Sequence, residues 1–276
     1  MIELSGAPYG LTTGPDGALW FTLVSQGAIG RCVAGEVETI QLDPADGQPT
    51  VIVTGPDDAL WFTEFRGNRI GRVTSSGEIV VFRADSPYGI TTGPDGAMWY
   101  TELQANRIAR RDLSGEVTTF PVEGMPSMIT SGSDAALWFT LNQGNAIGRI
   151  TTAGTLSVHR LPTEAAMPVG ITAGPDGALW FVEIAAGQIG RITTDGKINE
   201  YPLPDRAARP HAITTGPDGA LWFTEWAANR LGRITTTGEI TEYELPGAEP
   251  HGLTVGPDGA IWVAMESGAL VRVPTR

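Results

Sequence analysis

The sequence has one cysteine, Cys32, so no internal disulfide can form. Basic residues are scarce. Eighteen Lys and Arg face 31 Asp and Glu, a net charge of −13 that repels phosphate backbones and anionic headgroups. Nucleic acid and membrane surfaces are therefore not expected as partners. No apolar run approaches the ~18 residues of a spanning helix, and the opening MIELSGAPYG has neither a basic stretch nor an apolar core of the kind that targets secretion. The chain reads as cytoplasmic. With 36 Gly and 20 Pro, it also lacks the uninterrupted helix-forming stretches that a mainly helical fold requires.

What is present is a repeat. GPDGALWFT begins at Gly14 and returns as GPDDALWFT at Gly55, GPDGAMWYT at Gly93, GSDAALWFT at Gly132, GPDGALWFV at Gly174, GPDGALWFT at Gly216 and GPDGAIWVA at Gly256. Copies fall 38 to 42 residues apart, the length of a four-stranded propeller blade. Within residues 211–247, HAITT, LWFTE, RLGRITT and ITEYELP are β-rich runs separated by turn-formers; they are strands A, B, C and D. The chain is expected to be all-β, one seven-bladed β-propeller of four-stranded antiparallel blades spanning 1–276. After Trp262 only one more strand, LVRVP, is available, so an N-terminal strand within IELSGAP is expected to complete the last blade and close the ring. Such a closure leaves only short protected edges, and a monomer is the default state.

Residues present in all or most blades are explained by the blade. This covers seven of the eight tryptophans, the Asp of each PDG turn, the Arg of IGR and the Pro opening strand A. Glu64, Glu102, Glu183 and Glu225 recur at the end of strand B and are expected to pair with the Asn-Arg that follows in several blades. Informative residues are those that break the pattern. The position after the strand A proline runs Tyr9, Thr50, Tyr88, Ser127, Val169, His211, His251, and strand A is innermost, so these side chains ring one mouth of the central channel. Glu266 is the fourth residue after its blade's Trp, with Met265 in the usual Glu place. Glu249 stands where other blades have Ala7, Gln48, Ser86, Met125, Met167 and Arg209.

His211, Glu249, His251 and Glu266 thus converge on one rim from blades six and seven. Two carboxylates at a wet rim suit a hard divalent cation such as Mg²⁺, which takes few protein oxygens and several waters. An imidazole beside them suits proton transfer near neutral pH. Tyr9 and Tyr88 at the same mouth offer stacking surfaces for a ligand. His159, on an outer strand, is expected to be a surface residue.

At ARPHAIT (208–214), AEPHG (248–252) and WVAMES (262–267), within blades of the form GPDGALWFTE…NRIGRITT, the chain resembles the virginiamycin B lyase family. The resemblance implies a Mg²⁺-dependent lyase that linearises streptogramin B-type cyclic depsipeptides by elimination at the threonyl ester. It assigns metal binding to Glu249 and Glu266, the general base to His251 and substrate contact to His211. Leu23 and Leu141 depart from the polar or acidic residues of the pattern, and Leu141 is expected to shape the cavity that receives an antibiotic side chain. Two other readings compete. One is a non-catalytic propeller binding a peptide or small ligand at the channel mouth. The other is a lactone hydrolase related to six-bladed propellers, against which the seven copies count.

Overall fold

The computed structural model describes residues 1–275. It holds seven four-stranded antiparallel sheets, six built from consecutive strands of one repeat. In blade six, for example, the strands are Pro210–Thr215, Leu221–Glu225, Arg230–Ile234 and Ile240–Glu244. The seventh sheet closes the ring. Its strands A to C are Pro250–Val255, Ile261–Met265 and Ala269–Val273, and its fourth is Ile2–Glu3, which pairs Ile2 with Leu270 and Glu3 with Ala269. That closing strand is only two residues long. Among the described residues, no helix is long and apolar enough to cross a membrane.

The recurrent residues form one relay per blade. Each strand B Trp donates its indole N–H to the Asp of the preceding PDG, PDD or SDA turn, as Trp20 does to Asp16 at 3.0 Å. That Asp accepts from an Arg on strand C, here Arg31 at 2.8 Å. The relay repeats in all seven blades, through Asp57, Asp95, Asp134, Asp176, Asp218 and Asp258. A Trp ring buries a large apolar area between neighbouring blades, and the Asp satisfies the one polar atom taken in with it. These bonds hold the turn Asp carboxyls below their ordinary value even though burial opposes this.

Strand D adds an aromatic ring that stacks on the Trp of its own blade. Phe82, Phe120, Tyr201 and Tyr243 do this, and so does His159, with its centroid 5.7 Å from Trp138. His159 is therefore half-buried blade packing, not a free surface residue as expected from its outer-strand position. Leu141 also differs from expectation. It is 2 % exposed inside the hydrophobic core and does not line the channel.

Strand A is innermost, and neighbouring strands A pack directly on one another. The approach is close enough to require glycine. A Cβ on Gly252, the residue after His251, would lie 2.4 Å from the Tyr9 carbonyl oxygen, well inside contact distance. The absence of that one carbon lets blade one's Tyr9 come up against blade seven's His251.

Candidate functional site at the channel mouth

At the mouth, strand B of one blade supports strand A of the next. Thr22, Thr63, Thr101, Thr140 and Thr224 each donate a side-chain hydrogen bond to the carbonyl of the next blade's mouth residue. Thr224 thereby fixes the backbone of His251 at 2.9 Å. Val182 and Ala264 replace this Thr in blades five and seven, before His211 and Tyr9.

His251 is buried, and its Nε2 lies 2.7 Å from Glu266 Oε2. The acid comes from the irregular end of strand B in the same blade. Burial pulls the His251 pKa down to about 4, so at neutral pH the ring is uncharged. Its Nδ1 has no partner among the described residues. The His211 ring stands edge-on to it, with centroids 4.8 Å apart at 89°. Burial, reinforced by His251, pulls His211 down to about 3, which keeps that imidazole neutral as well.

Tyr9 joins the two histidines. Its ring stacks on His251 at 4.3 Å and 29°. Its hydroxyl lies 2.8 Å from the Tyr88 hydroxyl and 3.4 Å from His211 Nε2. Burial and the neighbouring Tyr88 push the Tyr9 phenol well above its ordinary value, so it remains protonated. Tyr9, Tyr88 and His211 line the end of a channel cavity of about 170 Å³ whose wall includes Val51, Val53 and Met128. The structure thus brings together five of the six residues singled out from sequence: Tyr9, Tyr88, His211, His251 and Glu266.

Glu249 joins the site through its backbone. Its carbonyl accepts the Glu266 N–H at 3.0 Å. The side chain is exposed and makes no hydrogen bond or ion pair among the described residues. Nor do those residues contain any cluster of three or more His, Cys, Asp and Glu arranged to hold a metal. The donor chemistry nevertheless fits Mg²⁺. Glu249 and Glu266 are two hard oxygen donors at solvent-reached positions on hydrogen-bonded neighbouring segments, and neither is neutralised by Arg or Lys among the described residues. Mg²⁺ is commonly held by one or two carboxylates with waters filling the rest of its shell. Glu249 and Glu266 would hold it at the edge of the site, next to His251.

The backbone bond between Glu266 and Glu249 belongs to a pattern. In blades two to six the residue after strand B likewise donates its N–H to the residue before the strand A proline: Phe65 to Gln48, Leu103 to Ser86, Asn142 to Met125, Ile184 to Met167, Trp226 to Arg209. Gln48, Ser86, Met125, Met167, Arg209 and Glu249 all have left-handed backbone, with φ between 49° and 57°. Blades two to seven therefore each present one pair of side chains at the rim on a shared scaffold. Blade seven presents two acids. Blade six presents Arg209 laid over Trp226, with the guanidinium carbon 5.9 Å from the ring centroid.

Trp226 was missed by reading the sequence. Its centroid lies 6.4 Å from that of His251, and it borders a recess of about 350 Å³ with Asn229 and Glu249. The available signal was that it is the one Trp off the repeat position, in the column occupied by Glu266 in blade seven.

The four recurrent strand B acids behave as blade features. Glu64 is bound by Arg69 through both oxygens, and Glu102 pairs with Arg107. Arg230 is drawn from Glu225, 3.7 Å away, towards Glu242 at 2.6 Å. Glu183 has Gln188 in place of an Arg.

Comparison with known proteins agrees with this architecture. A family model described as the virginiamycin B lyase family matches residues 2–273. A virginiamycin B lyase from Nocardia farcinica is 57% identical over 166 residues, which span 60% of this chain and 59% of that relative. A streptogramin B lyase structure matches with a TM-score of 0.94 at 43% identity, covering 98% of this chain and 96% of the other. A catalytically inactive His-to-Ala variant of virginiamycin B lyase from Staphylococcus aureus with quinupristin gives a TM-score of 0.93 at 43% identity, again covering 98% and 96%. The chain belongs to the virginiamycin B lyase family.

Proposed function

We propose that this protein linearises streptogramin B-type cyclic depsipeptides by a Mg²⁺-dependent elimination at the threonyl ester. The observation that carries the reading is the part-buried His251–Glu266 pair at 2.7 Å, in which a mouth histidine meets an acid that no other blade has after strand B. The solved relative with quinupristin supports a substrate of this class.

In this reading the neutral His251 imidazole takes the α-proton of the threonyl residue. The C–H electron pair forms the Cα–Cβ double bond, and the Cβ–O bond breaks towards the departing carboxylate. No water enters, so the open chain has the mass of the ring. Burial leaves His251 unprotonated at neutral pH, but as a weaker base than free imidazole. The Glu266 carboxylate beside it offsets the charge that the imidazolium acquires. His211, neutral and fixed against Tyr9, contacts the substrate as a hydrogen-bonding partner instead of a second charge. A cation on Glu249 and Glu266 would supply Lewis-acid stabilisation of negative charge developing on substrate oxygen.

The test is mass spectrometry of a type B streptogramin incubated with the protein and Mg²⁺, with and without chelator. A metal-dependent product isomeric with the ring is expected. Gain of one water would show hydrolysis instead. Saturable binding without turnover would favour a binding module.

A further inference from the structure

The base must be held at one angle to remove a carbon-bound proton, and His251 is fixed in plane by few bonds of its own. One nitrogen contacts Glu266 and the other has no partner among the described residues. A single hydrogen bond leaves a ring free to tilt about it. A further constraint comes from blade one, where the Tyr9 ring covers a face of His251 at 4.3 Å and 29°, the nearest of its ring contacts among the described aromatic pairs.

Tyr9 is itself held at its far end. Its hydroxyl lies 2.8 Å from Tyr88 of blade three and 3.4 Å from Nε2 of His211 of blade six. His211 also packs edge-on against His251, which completes a cage around the imidazole. The ring face expected to stack on a ligand is therefore turned to the base. We infer that Tyr9 is a positioning residue for His251, set in place by the Tyr88 hydroxyl across the channel mouth. The inference rests on the reading of His251 as the base. Tyr88 acts through Tyr9, since among the described aromatic pairs it has none with His251.

Two measurements test it. In turnover assays with a type B streptogramin, Tyr9→Leu removes the stacked ring and lowers kcat roughly two- to tenfold, the range expected for loss of an aromatic pair. KM stays within about twofold, because the lost contact is with the base and not with substrate. Tyr9→Phe keeps the ring and restores most of the rate. Tyr9→Phe already removes the contact that Tyr88→Phe breaks, so the double variant is no worse than Tyr9→Phe alone. A raised KM with unchanged kcat in Tyr9→Leu would overturn the assignment in favour of substrate contact.

The second measurement is independent of activity. With three histidines in the chain, imidazole NMR signals can be assigned by single substitution. Tyr9→Leu moves the His251 ring signals by removing a stacked ring current, and Tyr88→Phe moves them by releasing Tyr9. Unchanged His251 signals in Tyr9→Leu would overturn the positioning role. A wild-type protein that turns over no streptogramin would instead refute the proposed function, while the spectra still decide whether Tyr9 orients His251.

Discussion

Gly252→Ala tests whether one missing carbon sets the geometry of the site. The added Cβ would lie 2.4 Å from the Tyr9 carbonyl oxygen, 3.0 Å from the Leu11 nitrogen and 3.2 Å from the Gly10 Cα. All three are backbone atoms, so no side chain can swing aside. Restoring contact distance needs a shift of about 1 Å between the innermost strands of blades one and seven, and overpacking of this kind costs roughly 1–3 kcal/mol. For a chain of this size that lowers the melting temperature by roughly 2–10 °C. The same shift moves Tyr9 relative to His251. A misplacement of about 1 Å can cost about a hundredfold in rate, so turnover should fall ten- to a hundredfold at temperatures where circular dichroism still shows the intact fold. Gly259→Ala is the control. Gly259 has a φ of +73° and no heavy atom within 4 Å of an added Cβ, so it loses stability through backbone strain but keeps its turnover. Wild-type melting and wild-type turnover in Gly252→Ala would refute the argument.

His251→Ala should lower turnover by about 10²–10⁴-fold while the propeller still folds, as read by single-turnover mass spectrometry. Glu249→Gln should raise the Mg²⁺ concentration for half-maximal activity roughly tenfold or more, through loss of a charged donor; an unchanged metal titration would remove Glu249 from the cation site. Trp226→Ala opens the recess beside Glu249 and should raise KM more than it lowers kcat in steady-state assays. Glu183 provides a pH test. Burial raises its carboxyl from 4.5 to about 8, so the folded protein keeps a proton that the unfolded chain loses between those values. Stability should therefore fall as pH rises through that window, by up to ~1.4 kcal/mol per pH unit, and level off above it. Glu183→Gln should flatten this dependence in urea unfolding at pH 6 and pH 8; equal slopes in both proteins would contradict it.

The fold was legible because its period is written in covalent order. Seven Trp-bearing blocks declare seven blades, and the shortfall after Trp262 declares the closing strand. The His251–Glu266 pair was legible for the opposite reason, as two side chains that depart from their columns. Other features depend on distances between blades, which no column reports. That Tyr9 stacks on His251 as well as lining the channel follows from the close approach at Gly252. Trp226 was obscured by its resemblance to seven structural tryptophans, although its place in the blade differs from theirs. His159 shows the converse: a residue that looks singular by type but fills the same stacking position as Phe82 and Tyr201.

Blade one contributes Tyr9 and blade seven contributes His251, so the candidate site straddles the seam between the first and last blades, latched by Ile2–Glu3. A change that loosens the Ile2–Glu3 latch is therefore expected to disturb the Tyr9–His251 stack while leaving the Trp–Asp–Arg relays of blades two to six intact.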